Sequence, residues 1–332
     1  MMKKTPFVYK LILGLLVLAG AFTAAMVFGA ADISVRDVWL ALTSNSSGEK
    51  INIIREIRLP REVAAIFVGI ALAVAGAIMQ GITRNPLADP GLLGLTAGAN
   101  AALAITLAFI STANYFVMML ACFVGAGIGS LLVFGIGAAK KGGFSPLRIV
   151  LAGTAISTFL FAIAEGIGLM FKISKDVSMW TAGGLIGTTW GQLGMIVPVI
   201  VIGVIVSLML SRQLTILSLS EEVAIGLGQK IATIKVILFL VIILLAGASV
   251  ALVGNMAFIG LMVPHIVRAI VGTDYRLIIP FSAIVGASFM LFADTLGRTI
   301  NAPYETPVAA IIAIIGLPFF LMIVRKGGKS FS

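Results

Sequence analysis

RLPREVAAIFVGIALAVAGAIMQGITRNPLADPGLLGLTAGA, residues 58–99, is the stretch that decides the fold. Between Glu62 and Arg84 it carries no charged residue, and about 20 apolar residues at 1.5 Å rise are what a bilayer core requires. It therefore reads as a complete membrane span. Asn85-Pro86-Leu87-Ala88-Asp89-Pro90 stops that helix, because each proline lacks an amide donor and pushes its predecessor out of the α region. A second span starts at about Leu92.

The rest of the chain repeats this pattern. Of 332 residues, 60% are hydrophobic and 11% charged, with a mean hydropathy of +1.16, which excludes both a soluble domain and a disordered chain. Long apolar runs predict spans at about 11–31, 62–84, 92–111, 115–137, 148–170, 192–211, 234–253, 256–268, 278–296 and 306–324. The run from Pro90 to Ala139 holds two of them, with a hairpin at Ser111 to Tyr115. The fold class is thus an all-α polytopic membrane protein of about ten transmembrane helices, since the runs are too long and too little alternating for barrel strands. Segment 256–268 is short for a 30 Å core and fits a tilted helix held inside the bundle. The loops at about 32–60 and 171–191 are too small for a separate module, so residues 1–332 are expected to form one transmembrane domain.

Charge reports orientation. The formal +10 is scattered between apolar spans rather than gathered into a phosphate-binding face, so no nucleic acid is implied. With the N-terminus inside, most of the 23 basic residues fall on the cytoplasmic side, among them Lys3, Lys4, Lys140, Lys141, Lys326 and Lys329, while Asp32, Asp37, Glu49, Glu56 and Asp176 lie outside. Both termini are then cytoplasmic. Arg55, Arg58 and Arg61 run against this bias. The uncharged run from Leu11 to Ala31 exceeds a signal-peptide core and is expected to be a retained span.

Chemistry-bearing motifs are few. Cys122 is single and lies in an apolar run, there is one histidine, and no HExxH or paired catalytic groups occur, so neither an enzyme, a metal site nor a cofactor is expected. No G-x-x-x-x-G-K-[ST] loop is present; Gly328-Lys329-Ser330 lacks the glycine five positions earlier, where Ile323 stands. If ATP drives this protein, another chain binds it. In LSLSEEVAIGLGQK, segment 217–230, Ser220 is a good N-cap, Glu221 and Glu222 fill the first turn, and Gly228 can end a short helix. On these residues alone an ordinary surface helix is a better reading than a docking site. Arg58 and Arg61 flank Leu59-Pro60 at the start of a span, where they could anchor at the interface or grip acidic groups of a partner. Glu165, His265 and Asp294 lie within or near spans; a proton relay is one reading, but plain structural roles fit better, and Asp294 stands four before Arg298 at ion-pair spacing. Small residues at helix-contact spacing, such as Gly69, Ala73 and Ala77 or Gly125 and Gly129, predict close helix packing.

The ordered motifs R-L-P-R, G-x-x-x-Q-G and N-P-L-A-D-P-G-x-L-G, followed by SEEVAIGLG, GNMAFIGLMVPHIVR from Gly254, GTDYR from Gly272 and ETPVAAIIAIIGLPFF from Glu305, resemble the FecCD family of ABC-importer permeases, which move ferric siderophores, haem or cobalamin. The resemblance runs from about Arg58 to Phe320. It implies a type II ABC importer permease fold in the cytoplasmic membrane, working as a pair of permeases (a second copy or a paralogue) on an ABC ATPase dimer and receiving cargo from an extracytoplasmic substrate-binding protein. Carried over residue by residue, it assigns binding-protein docking to Arg58, Arg61 and Arg298. It assigns ATPase coupling to Ser220, Glu221, Glu222, Ala224, Leu227 and Gly228, with Ser220 replacing the usual glycine. Asn85, Pro86, Asp89, Pro90, Pro264, His265, Glu305 and Pro307 are motif positions with structural roles; Asn255 and Ala309 depart from the pattern. Spans five and ten are the expected pathway walls. The implied cargo is a ferric siderophore, with haem or cobalamin as alternatives within the class and an ion-coupled secondary transporter as an alternative outside it.

Overall fold

A computed structural model describes residues 7–29, 33–44, 46–110, 112–138 and 146–325. Lys3, Lys4, Asp32, Lys140, Lys141, Lys326, Lys329 and the Gly328 to Ser330 tripeptide lie outside the described residues, as does Ser111 of the expected hairpin. The helices are α1 Phe7–Val27, α2 Val35–Thr43, α3 Glu49–Ile53, α4 Leu59–Thr83, α5 Leu95–Phe109, α6 Tyr115–Ala138, α7 Pro146–Met170, α8 Ser174–Thr181, α9 Trp190–Met209, α10 Ser211–Leu219, α11 Glu221–Gly226, α12 Ile231–Val253, α13 Ile259–Val271, α14 Tyr275–Thr299 and α15 Val308–Arg325. A π-helical turn, Ile54–Arg58, joins α3 to α4, and a 3-10 turn, Pro90–Leu93, precedes α5.

Among the described residues, eight helices are long and apolar enough to cross a membrane, and two shorter apolar ones, α5 and α13, complete the ten expected segments. At 1.5 Å per residue the 15 residues of α5 span about 22 Å and the 13 of α13 about 20 Å, short of a bilayer core. The sequence flagged the second of these but not the first. Its apolar run does begin near Leu92, yet the first part of that run is not helical.

α4 is the axis of the bundle. Pro60 occupies its first turn, where a missing amide costs nothing, and nearly every side chain from Ala64 to Ile82 is buried against α14, α12, α13 and α9. Small residues make this approach possible. A Cβ on Gly69 would stand 2.3 Å from the Gly286 carbonyl oxygen of α14, and one on Gly76 would stand 1.9 Å from the Gly260 oxygen of α13. Gly98 of α5 meets Gly125 of α6 in the same way, at 2.1 Å. By contrast α1, α7 and α15 are peripheral and largely exposed.

Two breaks in helical structure let α5 and α13 start inside the bundle. After α4 ends on Arg84 in the left-handed region, φ 51°, the Asn85 side chain accepts the Leu87 amide at 3.0 Å. Asp89 then caps the 3-10 turn through Gly91 N–H at 2.7 Å. Pro90 is thereby carried back to the level of Leu72 and Gly260, against a cavity of about 50 Å3 lined also by Asp89, Thr96, Ala246 and Asn255. Irregular backbone at that depth is tolerable only because protein surrounds it. The segment Gly254 to Phe258 makes the matching entry into α13.

Pro264 explains a polar residue inside the most buried helix. A proline within α13 has no N–H for the Gly260 carbonyl four residues back, and the Gln80 amide supplies the missing donor, reaching Gly260 O and Leu261 O at 3.1 Å each. The Arg268 guanidinium in turn donates to the Gln80 carbonyl oxygen. His265 lies edge-on to Phe319, 5.7 Å between rings, where α13 meets α15. Pro307 accepts the Ala310 amide at 2.9 Å at the start of α15.

Candidate functional site

The described residues carry two polar constellations, at opposite ends of α4. At the first, the end of α1, the start of α4, the end of α14 and the start of α15 converge. Arg61 donates to Asp294 through Nη2 at 2.8 Å and through Nε at 3.1 Å, and its Nη1 reaches Glu305 at 2.8 Å. Arg298 pairs with Glu62 at 2.5 Å and with Asp294, one helical turn before it, at 2.9 Å. Arg58 donates to the carbonyls of Met26 and Val27 at 2.6 and 3.0 Å, while Arg298 reaches those of Ala25 and Phe28 at 3.0 and 3.3 Å. These two guanidiniums therefore satisfy the last-turn carbonyls of α1, which carry the negative end of its dipole. Gly29 makes room for them: at φ 153° its absent Cβ would lie 2.9 Å from Arg58 Nη2.

Three arginines thus balance three carboxylates, Glu62, Asp294 and Glu305. The expected trio of Arg58, Arg61 and Arg298 does come together, but inside the protein: the residues are 6%, 7% and 6% exposed, and Glu62 and Asp294 are fully buried. Only the Glu305 side chain, 35% exposed, reaches the surface. Glu62 was invisible to sequence reasoning except as the edge of a span, although its place four residues after Arg58 was a usable signal. Arg55 is committed to the preceding loop, where it donates to the carbonyls of Ala41, Ser44 and Ser46 and ties the end of α2 to the segment before α3.

The second constellation is built on α10 and α11. Ser220 accepts the Val223 amide at 3.1 Å, Glu221 and Glu222 sit in the positive first turn, and Gly228 leaves the helix at φ 75°. Ala224 is buried against the bundle, whereas Leu219, Val223, Ile225 and Leu227 are exposed around it. Val223 and Leu227 are four apart and so stand exposed on one face of this short segment. The two acids differ. Glu221 turns inward to Lys235 and Arg84, and Glu222 faces outward. Nearby, Asp274 caps α14 and also accepts from Thr215 of α10 at 3.2 Å; hydrogen bonding to the Arg276 guanidinium holds its carboxyl below the ordinary value.

The three ionisable residues considered for a relay lie in separate settings. Asp294 is locked between Arg61 and Arg298, His265 packs on Phe319, and Glu165 is exposed on α7. Along that face of α7, Leu151, Thr154, Thr158, Phe159 and Leu169 are exposed as well. A carboxylate within a span is rarely turned to lipid, so this face suits water or another protein chain.

The comparisons with known proteins decide what this architecture is. The FecCD transport family profile matches residues 15–326. This chain belongs to the FecCD transport family. Members of that family are transport permeases rather than enzymes, and this one is a multi-pass membrane protein. Curated relatives include the iron(3+)-hydroxamate import system permease protein FhuB of Bacillus subtilis, 43% identical over 95% of this chain and 83% of the relative. The hemin transport system permease protein HmuU of Yersinia pestis is 38% identical over 90% of each chain. Among solved structures, an inward-facing conformation of a metal-chelate type ABC transporter superposes with a TM-score of 0.85 at 25% identity, covering 96% of this chain and all of the other. The FecCD fold accordingly extends through α1, which lay outside the motifs read from the sequence.

Proposed function

We propose that this FecCD chain is the membrane permease subunit of an ABC importer for a ferric siderophore or related iron chelate, set in the cytoplasmic membrane with both termini in the cytoplasm. The observation that carries the reading is the 43% identity to an iron(3+)-hydroxamate permease over nearly the whole chain. The exposed apolar side chains around α11 support an ATPase subunit docking on the cytoplasmic side, through Ser220, Glu222, Leu227 and Gly228, with Ala224 packed behind them on the bundle and hydrolysis performed by the partner. The arginine end is then the outer end. Of Arg58, Arg61 and Arg298, Arg61 is the one a substrate-binding protein can reach there, by an incoming carboxylate displacing Glu305, while Arg58 and Arg298 hold the end of α1 beside it. The exposed faces of α7 and α15 pack against a second permease, leaving a seam for cargo.

Co-purification tests this reading. Fully burying a leucine side chain is worth about 1.5–3 kcal/mol and an aspartate there adds a desolvation cost, so Leu227→Asp is expected to cut the ATPase recovered with the permease by at least about tenfold. Undiminished recovery, with the permease itself intact, would remove the docking assignment. The same preparation, given in turn two binding proteins of different cargo, should change which chelate it takes up.

A further inference from the structure

Glu221 is the meeting point of three elements. It opens α11, and its Oε1 accepts from Lys235 Nζ at 2.7 Å, in the second turn of α12, and more loosely from Arg84 Nη2 at 3.5 Å, at the cap that ends α4. The Lys235 side chain is only 6% exposed and Glu221 is 39% exposed, so the stronger contact is sheltered on one side. Arg84, Glu221 and Lys235 share a cavity of about 20 Å3 with Ile82, Thr83 and Phe239, room for about one water molecule. α4 and α12 are the two most buried of the long helices. The adjacent Glu222 faces away from all of this.

We propose that Glu221 is a positioning residue which clasps α11 to the ends of α4 and α12, so that movement of α11 is delivered to the buried core of the bundle. This rests on the reading of α11 as the ATPase contact. The two acids then divide the work: Glu222 belongs to the outward face, and Glu221 fixes that face to the helices that must move. The contact is sheltered on the Lys235 side and screened on the Glu221 side, so its role is to fix where α11 sits against α4 and α12 more than to add stability. The inward position of Lys235, fourteen residues on in the chain, follows from α12 starting directly after the turn at Gly228.

The test uses the full permease assembled with its ATPase and binding protein in liposomes, reading chelate taken up per ATP hydrolysed. Glu221→Gln is expected to retain the ATPase in the complex but to lower uptake per ATP by about tenfold, within the range of coupling seen for contacting pairs. The swap of Glu221→Lys with Lys235→Glu is expected to recover most of that loss, relative to either single change. Should the charged singles fail to fold, Glu221→Gln combined with Lys235→Met keeps the packing without the charges and is expected to be equally uncoupled. Wild-type uptake per ATP in Glu221→Gln or in the neutral double variant overturns the clasp, as does a swap no better than its singles. The underlying reading fails differently: if Glu222→Lys and Leu227→Asp both leave ATPase recovery unchanged, α11 is not the contact at all.

Discussion

Replacing Gly76 with valine is expected to destabilise the bundle by at least about 3 kcal/mol, at the upper end of what overpacking costs. The Cβ alone would stand 1.9 Å from the Gly260 oxygen and 2.4 Å from the Gly260 carbonyl carbon and Cα. All three are backbone atoms, so no rotamer change relieves the overlap and α13 would have to leave α4. Separation would also pull the Gln80 amide from Gly260 O, leaving the carbonyl that Pro264 cannot serve without a donor inside the bilayer. Gly20 of α1 provides the control, because a Cβ there meets nothing within 4 Å. Gly20→Ala is expected to cost nothing and to stabilise α1 by up to about 1 kcal/mol. Denaturant unfolding of the two variants in the same detergent separates them, and similar losses in both would contradict the packing described.

The second large effect is expected at Asp294. It is fully buried and shared by Arg61 and Arg298, and removing one member of a buried ion cluster costs about 3–5 kcal/mol because it leaves uncompensated charge behind. Asp294→Ala should therefore lose most of the folded protein's stability margin. Glu305→Gln touches the same Arg61 at the same 2.8 Å, but from a side chain that is 35% exposed. Its cost is expected to be about 1 kcal/mol or less, as for other solvent-screened pairs. Equal losses in unfolding measurements would mean that burial does not govern this network. The contrast also bears on function, since Glu305 is then the carboxylate a docking partner can displace cheaply.

The spans were legible because charge is so costly in hydrocarbon that its scarcity over about 20 residues marks each crossing. What could not be read was where an apolar run stops being helical. The apolar run opens at Pro90, yet residues 90–93 form a 3-10 turn at the level of Leu72 rather than the start of α5, guided by Asn85, Asp89 and two prolines whose turn chemistry is local while its destination is tertiary. The loop at 32–60 similarly concealed α2, α3 and a π turn that runs into α4. Arg58, Arg61 and Arg298 were identifiable as a set from their motifs. Their burial was not, because the acid that neutralises Arg61 lies 233 residues away in the chain. Gln80 belongs to the same class: its role depends on a proline 184 positions later, and only the packing of α13 on α4 connects them.

The central claim is that this permease has no drive of its own and is moved by a partner that binds α11. Its most direct test is uptake of a ferric chelate into vesicles holding either the purified chain alone or the chain assembled with ATPase and binding protein. The account expects accumulation only in the complete assembly, and its loss when the ATPase partner cannot hydrolyse ATP. Accumulation by the chain alone, powered by a proton gradient, would contradict it.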